Sequence, residues 1–165
     1  HASISHLFAN MLGIFIFGRV VERKLGASKT ALIFFGALLL SHIFSSLIYL
    51  FVLKTNVAGV GASGALMGLV AAAILLSPFY ITYELLFPLP IMLVGWLTIY
   101  SDIGGILNNI DSTIGYVAHL GGFLSITLIA FLLKKKERKE LQKGFLINLG
   151  SLAVAVLYLF TRTGA

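Results

Sequence analysis

The sequence predicts an all-α membrane protein, a polytopic bundle of six transmembrane helices. Apolar residues make up 59% of the 165 residues and charged residues only 11%, whereas roughly a quarter of a water-soluble domain is charged. The mean hydropathy is +1.02. Six apolar runs follow one another along the chain, without the alternating segments of about ten residues that mark a membrane β-barrel. In lipid such runs fold as helices, because an isolated strand would leave backbone groups without hydrogen bonds.

Each predicted span lies between charged, glycine or proline residues that interrupt the apolar run. The six spans are residues 5–21, 30–53, 60–77, 85–100, 114–133 and 145–160. The first ends before Glu22, the second before Lys54, the third before Pro78 and the fifth before Lys134. Since one span takes about 20 residues, residues 1–165 form a single membrane domain with no room for a second, soluble one.

The basic residues predict how the bundle is oriented. If successive loops alternate between the two sides, ten of the twelve Lys and Arg fall on one side. These ten are Arg19, Arg23, Lys24, Lys29, Lys134, Lys135, Lys136, Arg138, Lys139 and Lys143. The positive-inside rule assigns that side to the cytoplasm. The start of the first span and the loops at 55–60 and 101–113 then face outward.

The net charge of +6 would point to a nucleic-acid partner in a soluble protein. Here the charges cluster at helix ends, so no nucleic-acid partner is expected. The chain has no cysteine, which excludes a disulfide framework, a thiolate zinc site and a cysteine nucleophile.

A first candidate site lies at Gly61-Ala62-Ser63-Gly64, where the third span begins. A serine just inside a helix start lies among backbone N–H groups at the positive end of the helix dipole, which favours an attack that creates an oxyanion. The flanking glycines would let a substrate backbone approach closely. The alternative is simple helix packing, for which small residues are common in membranes.

The second candidate is His119 near the outer end of the fifth span, where an imidazole could act as general base for a serine. Its alternative is a packing histidine bonded to a neighbouring carbonyl. Both spans carry small residues about one turn apart, which permit close backbone packing. These residues are Gly64 and Gly68 on one helix and Gly115, Ala118 and Gly122 on the other. Such packing would bring Ser63 and His119 into hydrogen-bond reach.

The acidic residues predict a Ser–His dyad without a third, carboxylate member. Asp102 and Asp111 fall in the predicted outer loop. The remaining acidic residues belong to the cytoplasmic side, and they are Glu22, Glu84, Glu137 and Glu140.

A third polar group, His1, His6 and Asn10, lies at the start of the first span. His6 and Asn10 are one turn apart and share a helix face, where both could donate hydrogen bonds to an oxyanion together with the Ser63 N–H. The alternatives are a polar network that joins helices and a zinc site at His1 and His6, but no further ligands complete such a site. His42 in the second span is interpreted as a packing or hydrogen-bonding residue.

These motifs together resemble the rhomboid family of intramembrane serine proteases. The matching residues are His1-x4-His6-x3-Asn10, Gly61-Ala62-Ser63-Gly64 and Ala118-His119-x-x-Gly122, in the family's order. The resemblance implies that Ser63 is the nucleophile and His119 the general base. It implies that His6 and Asn10 are oxyanion donors. His1, Gly61, Gly64 and Met67 would support the site.

The resemblance further implies that no metal or other cofactor takes part. The expected partners are single-span transmembrane substrates and membrane lipids, and the expected location is the prokaryotic plasma membrane with the site open to the outer side. Glu22-Arg23-Lys24-Leu25-Gly26 resembles a structural stretch of the family. Trp96 would lie on a mobile helix that admits substrate.

The chain departs from the family pattern in two places. Many members carry an aromatic residue four positions after the serine, stacked on the catalytic histidine, and here that residue is Met67. A thioether can still pack against an imidazole. The six spans also correspond to family helices 2 to 7. The chain begins with His1, inside a motif, so we expect an N-terminally incomplete rhomboid domain.

Two other functions remain compatible with parts of the sequence. One is a catalytically inactive rhomboid-like protein that binds membrane clients. Such proteins lack one or both dyad residues, whereas Ser63 and His119 are both present here. The other is a small transporter or channel with polar residues at a helix break. It would require a path across the membrane, whereas the polar residues here gather toward one side.

Overall fold

The computed structural model describes residues 3–54, 62–83, 87–108 and 115–163. Within this part of the chain the protein is a bundle of six α-helices, as predicted. They are α1 (Ile4–Leu25), α2 (Ala27–Leu47), α3 (Ser63–Leu76), α4 (Ile91–Asn108), α5 (Tyr116–Ile129) and α6 (Lys135–Thr163). A π-helical segment, Ile48–Leu53, extends α2, and a 3₁₀ turn, Ala130–Leu132, extends α5.

By length and composition, three helices could cross a membrane: Ile4–Leu25, Ala27–Leu53 and Lys135–Arg162. The other three are shorter but also apolar. The outer face of the bundle exposes large side chains, including Phe8, Phe35 and Phe51 of the first two helices, each more than 60% accessible. A surface this apolar matches a lipid environment rather than water.

The α1–α2 connection is a single residue, Gly26, with φ +81°. Its N–H donates to the carbonyl of Glu22, which ends α1. This left-handed conformation is one that glycine adopts without steric cost. The charged stretch before it is therefore helical up to Leu25, and the turn itself depends on the glycine.

The predicted boundaries are close for the first three spans and for the fifth, but α4 differs. We predicted residues 85–100, whereas α4 begins at Ile91 and ends at Asn108. The residues before α4 form a short antiparallel ribbon of β1 (Ile81–Thr82) and β2 (Leu89–Pro90). The N–H groups of Ile91 and Met92 donate to the carbonyls of Tyr80 and Pro78, at 2.7 and 3.1 Å. These bonds satisfy the first donors of α4 and fix its start.

The last helix also begins earlier than predicted, at Lys135 instead of residue 145. The added turns are rich in Lys, Arg, Glu and Gln, which are good helix formers. Glu137 anchors them, because it pairs with Lys29 on α2 and accepts from the backbone N–H of Lys134 at 2.9 Å.

The core surrounds α3, in which twelve of the fourteen residues are buried. Ala71, Ala72 and Ala73 are fully buried, and their small side chains leave room for neighbouring helices on every side. Of the described helices, α1, α2, α4, α5 and α6 all contact α3. The first residue of this central helix is Ser63.

Candidate active site

Ser63 opens α3 and is 9% exposed. The residue before it, Ala62, has a non-helical conformation, and the N–H of Leu66 makes the first helical bond to the Ala62 carbonyl. The earlier N–H groups of a helix start have no partner within the helix. The Ser63 side chain therefore lies at the positive end of the helix dipole.

Helices α3 and α5 pack backbone to backbone through the predicted small residues. A Cβ atom added at Gly122 would overlap the carbonyl of Gly64, and one at Gly64 would lie 3.5 Å from the carbonyl of Ala118. Gly68 lies one turn further along the same contact, where its Cβ would be 3.5 Å from the Gly122 carbonyl. Gly115 takes no part in this contact. Ser63 is next to Gly64 in the sequence, and His119 is next to Ala118. The packing of the two helices therefore places Ser63 and His119 at the same level of the bundle.

His119 has a carboxylate partner that we did not predict. Its Nδ1 lies 2.9 Å from Oδ1 of Asp102 on α4, and the two side chains are 13% and 16% exposed. The placement of Asp102 in an outer loop was wrong, because α4 extends eight residues beyond the predicted end. The prediction that no carboxylate could join the dyad was therefore wrong as well. Asp111 lies outside the described residues.

The second nitrogen of His119 is available for chemistry. Nε2 is buried and has no hydrogen-bond partner among the described residues, and the same holds for Oδ2 of Asp102. An ionised carboxylate can only accept hydrogen bonds, so its bond to Nδ1 requires a proton there and leaves a lone pair on Nε2. The structure contains no hydrogen bond between Nε2 and Ser63. In proteins without substrate such catalytic contacts are often long and tighten on binding.

The ring next to His119 belongs to Tyr116, one turn earlier on α5. The two rings meet edge to face, with centroids 6.2 Å apart and an angle of 83°. Tyr116 also packs on Gly105 of α4, where an added Cβ would overlap its ring. Met67 is buried at 3% exposure and borders a small cavity that also touches Asp102 and Leu120. Sequence reasoning singled out Met67 for its position after the serine, but it gave no signal for Tyr116.

Asn10 and Ser63 lie at a similar level on parallel helices. Gly13 of α1 faces Leu66 of α3, and Gly18 faces Leu69, so residue numbers rise together along the contact. Asn10 and Ser63 each precede the Gly13–Leu66 contact by three residues. Asn10 is 4% exposed, and its Nδ2 donates to the His6 carbonyl at 3.0 Å. The amide has a second N–H beyond this bond.

Of the remaining predicted site residues, one lies in the described part of the chain and two lie outside it. His6 is described on α1, where its backbone N–H donates to the Ser3 hydroxyl at the helix start. His1 and Gly61 lie outside the described residues. His42 bonds to the Leu38 carbonyl at 2.8 Å on its own helix, which confirms the hydrogen-bonding role that we predicted. No group of three His, Cys, Asp or Glu side chains that could hold a metal ion occurs in the described part of the chain.

The family model and the similar proteins all point to the same family. A model of the Rhomboid domain matches residues 1–136, so most of α6 lies beyond the match. RHOMBOID-like protein 1 of Arabidopsis thaliana is 36% identical over 139 residues, which are 79% of this chain and 31% of that protein. The mitochondrial RHOMBOID-like protein 12 of the same plant is 29% identical over 152 residues, 84% of this chain and 45% of the relative.

A bacterial relative has a more similar length. The candidate rhomboid protease YdcA of Bacillus subtilis (strain 168) is 29% identical over 140 residues, 84% of this chain and 66% of the relative. The chain thus spans less than half the length of the two plant relatives. No solved structure gives a significant match.

Proposed function

The chain belongs to the rhomboid family, and from this premise we propose that it is an intramembrane serine protease. Its reaction is hydrolysis of peptide bonds in or near the transmembrane helices of single-span membrane proteins. One observation carries the proposal: Ser63 at the start of α3 and His119 on α5 flank a direct backbone contact between these helices, and Nε2 of His119 has no partner in the described ranges of the chain.

The chemistry follows the serine-protease scheme. The Ser63 hydroxyl attacks the scissile carbonyl while Nε2 of His119 takes its proton. The imidazolium then protonates the leaving amine as the C–N bond breaks, and an acyl-enzyme remains on Ser63. A water molecule, deprotonated by His119, releases the second product. Every step uses side chains of the protein, so the proposal requires no metal or organic cofactor.

Three donors are candidates for the oxyanion. The first is the backbone N–H of Ser63 at the helix start, where the helix dipole adds a favourable field. The second is the other N–H of the Asn10 amide, which the α1–α3 packing brings to the same level. The third is the His6 side chain, one turn from Asn10. Preorganised donors of this kind stabilise negative charge more effectively than water does.

The site lies at one end of the bundle, and two cationic contacts between elements lie at the other. Arg23 donates to the Tyr80 hydroxyl at 2.8 Å, and Lys29 pairs with Glu137. With basic loops in the cytoplasm, Ser63 faces the outer side, from which water reaches it. The relatives include plant proteins named mitochondrial or chloroplastic as well as a bacterial one. These relatives belong to several kinds of membrane and do not select one for this chain; the prokaryotic plasma membrane is one of them.

A client-binding protein without catalysis is the second candidate. The observation in its favour is the missing hydrogen bond between Ser63 and His119, which leaves the dyad unassembled in the absence of substrate. Both functions require the same membrane fold and the same kind of partner, a protein with a single transmembrane helix. They differ in whether Ser63 reacts.

The test is cleavage in liposomes. The full-length protein is reconstituted with a single-span substrate, next to Ser63→Ala and His119→Ala. Ser46→Ala, on the exposed side of α2, and His42→Ala serve as matched controls, since neither side chain belongs to the site. We expect cleavage by the native protein and both controls, and none by the two site variants. Equal cleavage by Ser63→Ala would refute the protease, while labelling of Ser63 by a fluorophosphonate would refute an inert client binder.

A further inference from the structure

We propose that Asp102 is a positioning residue for His119, so that the protein works with an Asp–His–Ser arrangement rather than an isolated dyad. The inference rests on the proposed protease function and adds a third residue to its site. Asp102 does not touch substrate. It acts by holding the His119 ring in one orientation and one tautomer.

The geometry supplies the argument. The Oδ1–Nδ1 distance of 2.9 Å is that of a direct hydrogen bond, and both side chains are largely shielded. Asp102 comes from α4 and His119 from α5, so the bond ties the orientation of the ring to a second helix. Ser63 lies on α3, the helix against which α5 packs backbone to backbone. Three neighbouring helices therefore contribute one residue each.

The position of Asp102 among the acidic residues is distinctive. Of the four that the structure describes, Glu22, Glu137 and Glu140 lie near the cytoplasmic ends of α1 and α6. Asp102 alone among these four shares the end of the bundle that holds Ser63 and His119. An ionisable side chain at membrane depth is costly and marks function by default. Here its partner is the proposed general base itself.

The chemistry needs this partner for a specific reason. A neutral imidazole carries its proton on either nitrogen, and only the Nδ1–H form presents a lone pair on Nε2 to a serine. The Asp102 carboxylate accepts from Nδ1–H and selects that form. When Nε2 takes the Ser63 proton, the ring becomes a cation beside an anion, and the carboxylate stabilises it without receiving the proton. Nε2 then passes its proton to the leaving amine, which restores the starting pair.

A purely structural role is the competing explanation, in which the Asp102–His119 bond only holds α4 against α5. The two roles differ in Asp102→Asn. An asparagine has nearly the same size and can still bond to the ring, so helix packing survives. Its NH₂ group can also donate to Nδ1, however, which reverses the tautomer and directs a proton toward Ser63. Substitution of the aspartate by asparagine in a soluble Ser-His-Asp protease lowers kcat about 10⁴-fold for this reason.

The experiment compares the native protein, Asp102→Asn and Asp102→Glu in liposomes, with Ser101→Ala as the matched control on the adjacent, exposed position of α4. We expect Asp102→Asn to lower kcat by about 10²- to 10⁴-fold, with KM within about twofold and an unchanged melting temperature. Asp102→Glu should retain more activity than Asp102→Asn, and Ser101→Ala should match the native protein. A kcat for Asp102→Asn within about threefold of native overturns the inference, as does a loss explained by unfolding.

A second readout separates this inference from the proposed function. ¹⁵N NMR of labelled histidine, assigned with His119→Ala, reports which nitrogen of His119 carries the proton. The expected result is a protonated Nδ1 in the native protein and a shifted tautomer population in Asp102→Asn. If the native protein cleaves nothing but shows this tautomer change, the protease function fails while the positioning contact stands. If cleavage is normal and the tautomer is unchanged by Asp102→Asn, only the inference about Asp102 fails.

A different observation, at the opposite end of the bundle, carries a second inference. A cavity of about 780 Å³ opens between α5 and the first turns of α6. Its wall combines apolar side chains, among them Phe131, Phe145 and Leu146, with cationic side chains from the first turns of α6. Its three cationic residues are Lys135, Arg138 and Lys139.

These charges lie on one face of α6. Lys135 lies three and four positions before Arg138 and Lys139, and further along the same face the polar Gln142 is followed by the apolar Phe145 and Leu146. Glu137 is directed elsewhere, since it pairs with Lys29 on α2. The face thus changes from positive to apolar along the membrane normal. A lipid with an anionic headgroup and apolar chains has the complementary order of charge and hydrocarbon.

We infer that this groove binds an anionic phospholipid, with its phosphate at Lys135, Arg138 and Lys139 and its acyl chains along Phe131, Phe145 and Leu146. Juxtamembrane cations attract anionic lipid in general, but the groove adds a shaped apolar wall below them. That wall distinguishes a bound lipid from a diffuse ion atmosphere and from a soluble phosphate.

The test is phosphatidylglycerol binding to the delipidated protein, followed by native mass spectrometry. Arg138→Gln with Lys139→Gln removes two charges from the groove. Lys136→Gln with Lys143→Gln removes two from the same helix outside it. We expect the groove pair to weaken binding at least fivefold and the control pair less than twofold. Equal weakening by both pairs overturns the site in favour of general surface charge, and full competition by inorganic phosphate overturns the lipid as its ligand.

Discussion

Gly122 of α5 packs against the backbone carbonyl of Gly64 on α3, with no space for a side chain between them. This contact sets the separation of the helices that carry Ser63 and His119. It links the stability of the bundle to the assembly of the site, because anything that separates the two backbones also separates hydroxyl from imidazole.

The first prediction concerns this contact. Gly122→Ala inserts a methyl group into the Gly64 carbonyl, and such overpacking costs about 1–3 kcal/mol. We expect a lower melting temperature and at least a tenfold loss of kcat/KM, measured by thermal unfolding and substrate cleavage in liposomes. Gly150→Ala on α6 is the control, since nothing lies within 4 Å of an added Cβ there. Native activity in Gly122→Ala would show that the α3–α5 distance does not limit catalysis.

Asn10 gives a prediction about the oxyanion. Asn10→Ala removes the amide that we place at the level of Ser63, and loss of one oxyanion donor costs about 10²- to 10³-fold in kcat. KM should change little, because the donor acts mainly in the transition state. Steady-state kinetics with the single-span substrate measures both constants. A rise in KM with an unchanged kcat would instead indicate that Asn10 binds the substrate in its ground state.

The third prediction concerns α4 as an entry for substrate. Nε1 of Trp96 donates to Oδ1 of Asn148 on α6 at 2.9 Å, and Nδ2 of Asn148 donates to the Ile74 carbonyl at 2.8 Å. Opening α4 at this level would break the Trp96 bond. We therefore expect Trp96→Phe to raise the initial cleavage rate about twofold to fivefold while lowering stability by about 1 kcal/mol, the usual net contribution of one hydrogen bond.

Two measurements check this. Thermal unfolding gives the stability change, and cleavage of a transmembrane substrate is compared with that of a short soluble peptide. Faster cleavage of the transmembrane substrate alone supports gating by α4. A proportional fall in both rates would mean that the Trp96–Asn148 bond only stabilises the fold.

The fourth prediction concerns the end of the bundle opposite Ser63. Glu137→Gln removes the ion pair with Lys29 and weakens the bond to the Lys134 N–H. The two side chains are 28% and 16% exposed, so solvent screens the pair only in part, and we expect a stability loss of about 1 kcal/mol, the upper end of the range for surface ion pairs. Thermal unfolding at low and high salt checks this, because the difference in stability between the native protein and Glu137→Gln should shrink as the salt concentration rises. Cleavage at the distant Ser63 should stay within twofold of native.

Much of this molecule follows from the sequence alone. Its composition required a membrane protein, and the continuous apolar runs without the alternation of a β-barrel required helices, the other structure that satisfies its backbone in lipid. The small residues at Gly64 and Gly122 predicted where two helices meet, because only such residues permit backbone contact. The ordered polar motifs predicted the family, which the comparison confirmed over residues 1–136. The roles of Ser63 and His119 stay predictions until cleavage is measured.

The tertiary structure decided what stands beside His119. An apolar run does not show which of its residues starts a helix in lipid, and here the carbonyls of Pro78 and Tyr80 fix the start of α4 at Ile91. That shift carries Asp102 from a presumed loop into a helix and against the imidazole. Asp102 and His119 are seventeen residues apart and on different helices. No periodicity within either helix encodes the contact, because it depends on how α4 and α5 pack around α3.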